Sequence, residues 1–185
     1  MPLPTFAPVS GPRIGLRPVE AHDLAALLLV NGDPEVTRFL PYDTWQGPAD
    51  AEAWLARMAR LAEGGTAQQL VMVDAAEGLA IGTLLLFRFE EASARLEIGY
   101  TLARRCWGRG LAREAIALAL SWGVAQAGIR RFEAEVNPAN TASNRLLAAL
   151  GFTHEGTLRE RWTAKGTSYD VNVWGLLARE WPAAA

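Results

Sequence analysis

The chain has few of the side chains that build metal centres and disulfides: one cysteine, Cys106, and two isolated histidines, His22 and His154, in 185 residues. A single cysteine excludes an intramolecular disulfide. Solitary histidines without partners at ligand spacing give no metal site, so none is expected, and both read as surface or structural residues. No apolar run approaches the roughly 18 residues of a membrane span, and no charged-then-apolar leader opens the chain. A cytoplasmic protein without a membrane partner is the expectation. The net charge is only −2 and the arginines are dispersed, which removes the electrostatic basis for binding nucleic acid. Repeats and low-complexity tracts are missing as well. Half the residues are apolar, and the length suits one domain with a substantial core. The whole of 1–185 is read as that domain, with flexible ends expected at 1–10 and 182–185.

What is present is an alternation of strand and helix patterns. Arg13 to Arg17 alternates like a strand, and Asp23 to Val30 carries leucines and alanines at helical spacing. Asp33-Pro34-Glu35 opens a short helix through Phe39. An irregular aromatic link containing Tyr42 and Trp45 leads to a helix begun by Pro48 and ended by Gly64-Gly65. Gln69 to Asp74, Leu79 to Phe89 and Arg95 to Leu102 read as a three-stranded meander. A helix over 109–127, with Leu111, Ala115, Leu118 and Trp122 on one face, followed by a strand at Phe132 to Val136, makes a crossover between parallel strands. A helix over 140–150 stops at Gly151, and strands over 152–162 and 167–178 form a hairpin about Lys165-Gly166.

The segment Arg104-Arg105-Cys106-Trp107-Gly108-Arg109-Gly110-Leu111-Ala112 stands between a strand and the longest of these later helices. Glycines there let the backbone pass close to a ligand, and the free N–H groups of a helix's first turn attract an anion. A pyrophosphate suits such a loop. The dinucleotide fingerprint is broken by Arg113 where a third glycine would stand, and no Gly-Lys-Ser/Thr follows, so neither NAD nor ATP is indicated.

Arg105-x-x-Gly108-x-Gly110 resembles the Arg/Gln-x-x-Gly-x-Gly/Ala signature of the GNAT superfamily of N-acetyltransferases. Downstream, Asn137-x-x-Asn140-x-x-Ser143 and Leu150-Gly151-Phe152-x-x-Glu155-Gly156 resemble two further blocks of that superfamily in the same order, and the ending Tyr169 to Leu177 with Glu180-Trp181 looks like the last strand of its RimJ/RimL branch. The resemblance implies an α/β (α+β) GNAT fold: a central, mixed, mostly antiparallel seven-stranded sheet with a splayed parallel pair and helices on both faces. It implies acetyl-CoA as cosubstrate, a primary amine as acceptor and no metal. The first acceptor expected is a protein or peptide N-terminal α-amine; a polyamine, aminoglycoside or amino sugar is the alternative, and a non-catalytic acyl-CoA-binding module the second. An acidic pocket, to which Glu35, Asp43, Asp50 and Glu52 could contribute, would mark a cationic small substrate.

Carried onto this chain, the resemblance assigns coenzyme contacts to Tyr100, Thr101, Leu102, Arg104, Arg105, Trp107, Gly108, Arg109, Gly110, Leu111, Ala112, Arg113, Asn137, Asn140 and Ser143. Asn140 also reads as a helix N-cap, with Asn137-Pro138 making the turn before it, and the arginines as a solvated cluster. Ser143 is expected to face the coenzyme's sulfur, the Leu102 backbone N–H to stabilise the oxyanion, and Glu97, a charge interrupting an apolar strand, to act as base. Tyr42, Trp45, Trp162, Tyr169 and Asp170 are acceptor-side candidates. Some N-terminal acetyltransferases of this branch have a carboxylate near position 162, where this chain has tryptophan. Seven tryptophans and the apolar alternation of the last hairpin are compatible with a homodimer.

Overall fold

One eight-stranded sheet carries the structure, a computed structural model that describes residues 2–182. In chain order the strands are β1 (Val9–Ser10), β2 (Ile14–Pro18), β3 (Gln68–Asp74), β4 (Ala80–Glu90), β5 (Arg95–Leu102), β6 (Arg131–Val136), β7 (Thr153–Ala164) and β8 (Thr167–Leu177). The helices are α1 (Leu24–Asn31), α2 (Pro34–Thr37), α3 (Pro48–Glu63), α4 (Leu111–Ala125) and α5 (Thr141–Ala149). The sheet runs β1-β2-β3-β4-β5-β6-β8-β7, and only the β5–β6 pair is parallel. It therefore has one strand more than the seven expected. The addition is β1, two residues that pair with Leu16 and Gly15, too short to leave a period in the sequence.

Alternation along the strands sends side chains to both faces and recruits helices to each. Leu70 and Met72 of β3 join the large core beneath α4 and α5, with Ile81, Leu84, Leu96, Phe132 and Leu176. Val71, one residue away, faces a smaller core built with Leu27 of α1 and Trp54 and Met58 of α3. The apolar stripe on α4 is as its sequence spacing predicts, with Leu111, Ala115 and Trp122 buried and Leu118 packed against the same core. At the last hairpin, Lys165 (φ 53°) and Gly166 (φ 74°) both take the left-handed backbone that a tight two-residue turn demands.

The N-terminal segment is the main departure from expectation, because residues 2–10 are anchored. Leu3 and Phe6 are buried, and the Phe6 ring lies 4.7 Å from that of Trp122 on α4. The Leu3 N–H donates to the Gly65 carbonyl (2.8 Å) and the Phe6 N–H to the Gln68 side chain (2.6 Å), whose amide in turn donates to the Pro4 carbonyl. Prolines at 2, 4 and 8 deny the segment a helical or ladder pattern, so it reads as a tail although its side chains complete the core. At the other end, 183–185 lie outside the described residues.

Phe6→Ala is expected to cost about 3–5 kcal/mol of stability, the cost of emptying a core aromatic site. Equilibrium urea unfolding measures this; a segment that merely drapes over the surface would leave the midpoint unchanged.

Candidate active site

The site originates where β5 and β6 part. Their ladder joins Arg95–Glu97 to Arg131–Glu133 and stops, although β5 continues to Leu102 and β6 to Val136. Each strand follows its outer neighbour instead: β5 stays paired with β4 to Leu102, and β6 with β8 to Val136. The Ala103 N–H donates to the Ile81 carbonyl (2.8 Å), and Thr101 stands opposite Thr83. Odd-numbered residues of β5 thus bond to β4, and by alternation Tyr100 and Leu102 aim their N–H and C=O groups into the gap. The Leu102 carbonyl accepts from the Trp107 indole (2.8 Å), and its N–H faces the opening.

Beyond Leu102 the chain turns through buried Cys106 into the glycine loop. Gly108 (φ 71°) and Gly110 (φ 78°) take left-handed backbone, and a Cβ on Gly108 would meet no atom within 4 Å, so space is open in front of the loop. No side chain caps α4, which leaves the first-turn N–H groups of Leu111, Ala112 and Arg113 available at the positive end of a 15-residue helix. An anion such as a pyrophosphate fits this cradle. Arg13, which the sequence reading did not single out, holds the loop to its helix: its guanidinium donates to the Arg109 carbonyl (2.9 Å) and to Glu114 (2.8 Å). Arg104 pairs with Asp33 (3.0 Å) and Arg105 with Glu77 (3.1 Å), while Arg109 and Arg113 are exposed at the loop.

On the other side of the gap, Asn140 caps α5 by accepting from the Ser143 N–H (3.2 Å), and Asn137 closes the preceding turn by accepting from the Ala139 N–H (2.9 Å). Asn144, also unforeseen, fastens this helix to the sheet: its amide donates to the Asn137 and Asn140 carbonyls, and its oxygen accepts from Asn172 and the Trp174 indole. So held, Ser143 Oγ lies 2.5 Å from the Tyr100 hydroxyl of β5, a hydroxyl pair spanning the divergent strands. Burial pushes the Tyr100 phenol up to about 12, against the lowering effect of Ser143, so at neutral pH it keeps its proton.

A cavity of about 450 Å³ extends from this pair along the underside of the gap. Glu97, Tyr100, Thr101, Asn137, Asn140 and Ser143 line it, and so do the acceptor candidates Tyr42, Trp162 and Tyr169. Glu97 is buried; its carboxyl is pushed above the ordinary range by burial, partly opposed by Arg88, which donates to it at 2.7 Å. The Tyr42 hydroxyl donates to Asn31 (2.9 Å), and Lys165 at the tip of the last hairpin donates to the Thr37 carbonyl (2.7 Å), which ties the hairpin to the end of α2.

Two acceptor candidates lie elsewhere. Trp45 packs its ring 5.4 Å from that of Trp54 in the smaller core, because the link bends inward where its N–H donates to the Asn31 carbonyl (3.1 Å). Asp170 points to the outer side of the hairpin and accepts from the Glu160 N–H (2.9 Å). Glu35, Asp43, Asp50 and Glu52 are also away from the cavity lining; Asp50, for instance, folds back on the Gln46 N–H (2.6 Å) at the start of α3. In their place stand Glu135 and Arg57, which sequence reasoning missed. A signal for Glu135 existed: Glu133-Ala134-Glu135 puts charge on alternate positions of a strand expected to lie inside the sheet.

Residues 13–153 match the acetyltransferase (GNAT) domain family. The chain is 34% identical over 169 residues to the N-acetyltransferase p20 of Bacillus licheniformis, covering 91% of this chain and 95% of that protein. Its fold is similar to that of Mycobacterium smegmatis RimJ, solved in complex with CoA-disulfide, with a TM-score of 0.84 at 26% identity over 92% of this chain and 85% of the other. A spermidine N-acetyltransferase from Vibrio cholerae, solved with CoA and spermine, shares the fold with a TM-score of 0.79 at 20% identity over 92% and 98% of the two chains. Family, relatives and fold agree with the open loop and divergent strands described above: the chain belongs to the GNAT family and is an N-acetyltransferase.

Proposed function

We propose that the enzyme transfers an acetyl group from acetyl-CoA to the α-amine of a peptide or protein N-terminus, within a ternary complex and in the manner of the RimJ/RimL-like branch. The observation that carries this reading is the composition of the cavity. Its charged lining is sparse, Glu97 and Glu135 against the single Arg57, and most of the remainder is apolar, including Phe39, Leu40, Met58 and Phe87. A polyamine needs several anions along its length, and the acids that were candidates for that task point elsewhere. A single amine on an apolar body matches the space better. Position 162 has tryptophan where some of that branch have a carboxylate, and Glu135 of β6 stands beside it, accepting the Trp162 indole N–H at 2.5 Å.

Acetyl-CoA, when bound, supplies a thioester carbonyl at the mouth of the gap. The first turn of α4 and the glycine loop would hold its pyrophosphate, with Arg104, Arg105, Arg109 and Arg113 adding charge. Tyr100 and Leu102 offer ladder groups to its amide arm, and the Leu102 N–H would stabilise the oxyanion. Glu97 accepts a proton from the amine, directly or through water. The Tyr100–Ser143 pair keeps a proton at neutral pH and would hold or protonate the departing sulfur. An α-amine, with an ordinary pKa of about 8, is partly neutral at pH 7 and demands only a weak base.

Gly108→Glu puts a carboxylate in the open space before the loop, and acetyl-CoA binding measured by calorimetry should fall by roughly 100-fold or more, beyond what one lost contact explains. Ser143→Ala and Tyr100→Phe should each lower kcat about 10- to 100-fold while leaving acetyl-CoA affinity within a few-fold, as expected for groups acting on the leaving sulfur. The pH profile of kcat tests Glu97. Because its carboxyl titrates above the ordinary range, the active ionised form should be lost, as pH falls, at a higher pH than for an ordinary glutamate. Glu97→Gln should abolish that acid limb and reduce kcat about 100-fold; an unchanged profile would assign the limb to another group.

A further inference from the structure

Arg88 occupies an unusual place. It sits on β4 with φ 51°, where the register with β5 shifts between Phe87 and Glu90. Across the cavity, β7 has a second irregularity between Leu158 and Trp162, with Glu160 at φ 47°. Bulges re-aim side chains, and these two bring Arg88 and Trp162 face to face. The Arg88 guanidinium carbon stands 5.4 Å from the Trp162 ring centroid and 5.5 Å from that of Phe87, both inside the range of a cation–π contact. Its Nη1 is 2.7 Å from a Glu97 oxygen and 3.8 Å from a Glu135 oxygen. Arg161 also reaches that Glu135 oxygen, at 3.4 Å, and Tyr169 lines the cavity with them.

Two carboxylates and two aromatic faces around one point make a seat for a cation, and this seat is continuous with the cavity that leads to the Tyr100–Ser143 pair. We propose that the Arg88 guanidinium is a resident stand-in for the acceptor: the substrate's ammonium enters the seat between Glu97, Glu135 and Trp162 by displacing it. The inference rests on the acetyl-transfer reading above and deepens it by naming the group that sets acceptor affinity. Displacement is feasible because the Arg88 side chain is 44% exposed and can turn to water, while Glu97, 9% exposed, takes the incoming ammonium in its place. The guanidinium swings outward into water without crossing the core. Glu97 is exchanged from one cation to another and is never left buried and unpaired, which would be far more costly. A primary ammonium, smaller than a guanidinium, delivers its proton to Glu97 as it leaves the seat for the thioester. Amide formation removes two N–H protons, one to Glu97 before attack and one passed on to the departing sulfur after it, and a tertiary ammonium has only one and a quaternary none. The device selects for a primary amine whose cation outcompetes a tethered arginine.

The seat can be tested without the reaction. In Arg88→Ala, methylammonium chloride should raise the melting temperature saturably, by about 2–4 °C at five times its dissociation constant, beyond an equal concentration of sodium chloride. Wild type should show the same effect shifted to about 3- to 5-fold higher methylammonium concentration, and Arg88→Ala/Glu135→Gln should lose it. If Arg88→Ala responds no more to methylammonium than to sodium, the seat does not exist and Arg88 is a structural ion pair. The kinetic arm uses a hexapeptide beginning Ala-Leu with a free N-terminus: Arg88→Ala should lower its KM about 3- to 5-fold and Glu135→Gln should raise it, with the KM for acetyl-CoA unchanged in both. A raised peptide KM in Arg88→Ala overturns the proposal. Should the alanine variant not fold, Arg88→Gln and the single Glu135→Gln variant carry the same comparisons. Failure of every peptide to be acetylated would refute the proposed acceptor class, while the methylammonium response would still decide the seat.

Discussion

The early end of the β5–β6 ladder is the constraint on which the rest depends. A parallel pair that ran its full length would bury its backbone groups in hydrogen bonds and close the sheet. Because β5 is committed to β4 and β6 to β8, the two strands separate after Glu97 and Glu133. The separation leaves backbone groups of Tyr100 and Leu102 facing an opening, puts the start of α4 at one rim and the start of α5 at the other, and lets a cavity reach the middle of the sheet. The Tyr100–Ser143 pair and the glycine loop both stand at the edges of that divergence.

Much of this was legible in the sequence because the responsible signals are local. A β-strand followed by glycines and an amphipathic helix, and an Asn-x-x-Asn-x-x-Ser turn at a helix start, are short patterns whose physics is complete within about ten residues. The proposed coenzyme side is built almost wholly from them. Helix and strand limits agree to within one or two residues, and the hairpin turn falls at Lys165-Gly166 as expected. The proposed acceptor side is different in kind: it is made where distant segments meet, β4 with β7 and the end of α2 with the last hairpin, so its members carry no mutual spacing. Trp45 illustrates the difficulty. An aromatic residue in an irregular link can face a pocket or a core, and only the packing of α1 against α3 decided for the core. Glu135 and Arg88 were missed for the same reason, since their meaning lies in each other and in Trp162. The N-terminal segment was misread because it contributes side chains to the core without a periodic backbone.

The distribution of charge separates the two halves of the site as well. On the proposed coenzyme side, Arg109 and Arg113 stand exposed beside uncapped N–H groups, and Arg104 and Arg105 are paired with Asp33 and Glu77. On the acceptor side, carboxylates reach into an apolar space and are each satisfied by a cation or an indole. These halves come from different stretches of chain and share only the gap between them, so the aromatic link and the β7–β8 hairpin can change without disturbing the loop at 104–113.

The hydrogen bond from Lys165 to the Thr37 carbonyl has a further consequence. Lys165 is the only lysine of the chain; the other 17 strongly basic residues are arginines. Guanidinium groups do not deprotonate under physiological conditions and are poor nucleophiles, so they are invisible to acetyl-transfer chemistry. A catalyst that handles an activated acyl group next to its own surface thus presents one side-chain amine that could be modified, and that amine is tied down as a hydrogen-bond donor. Its bulk labelling with amine-reactive dyes would report on one place alone, the junction of the last hairpin with the end of α2, together with the chain's α-amino group.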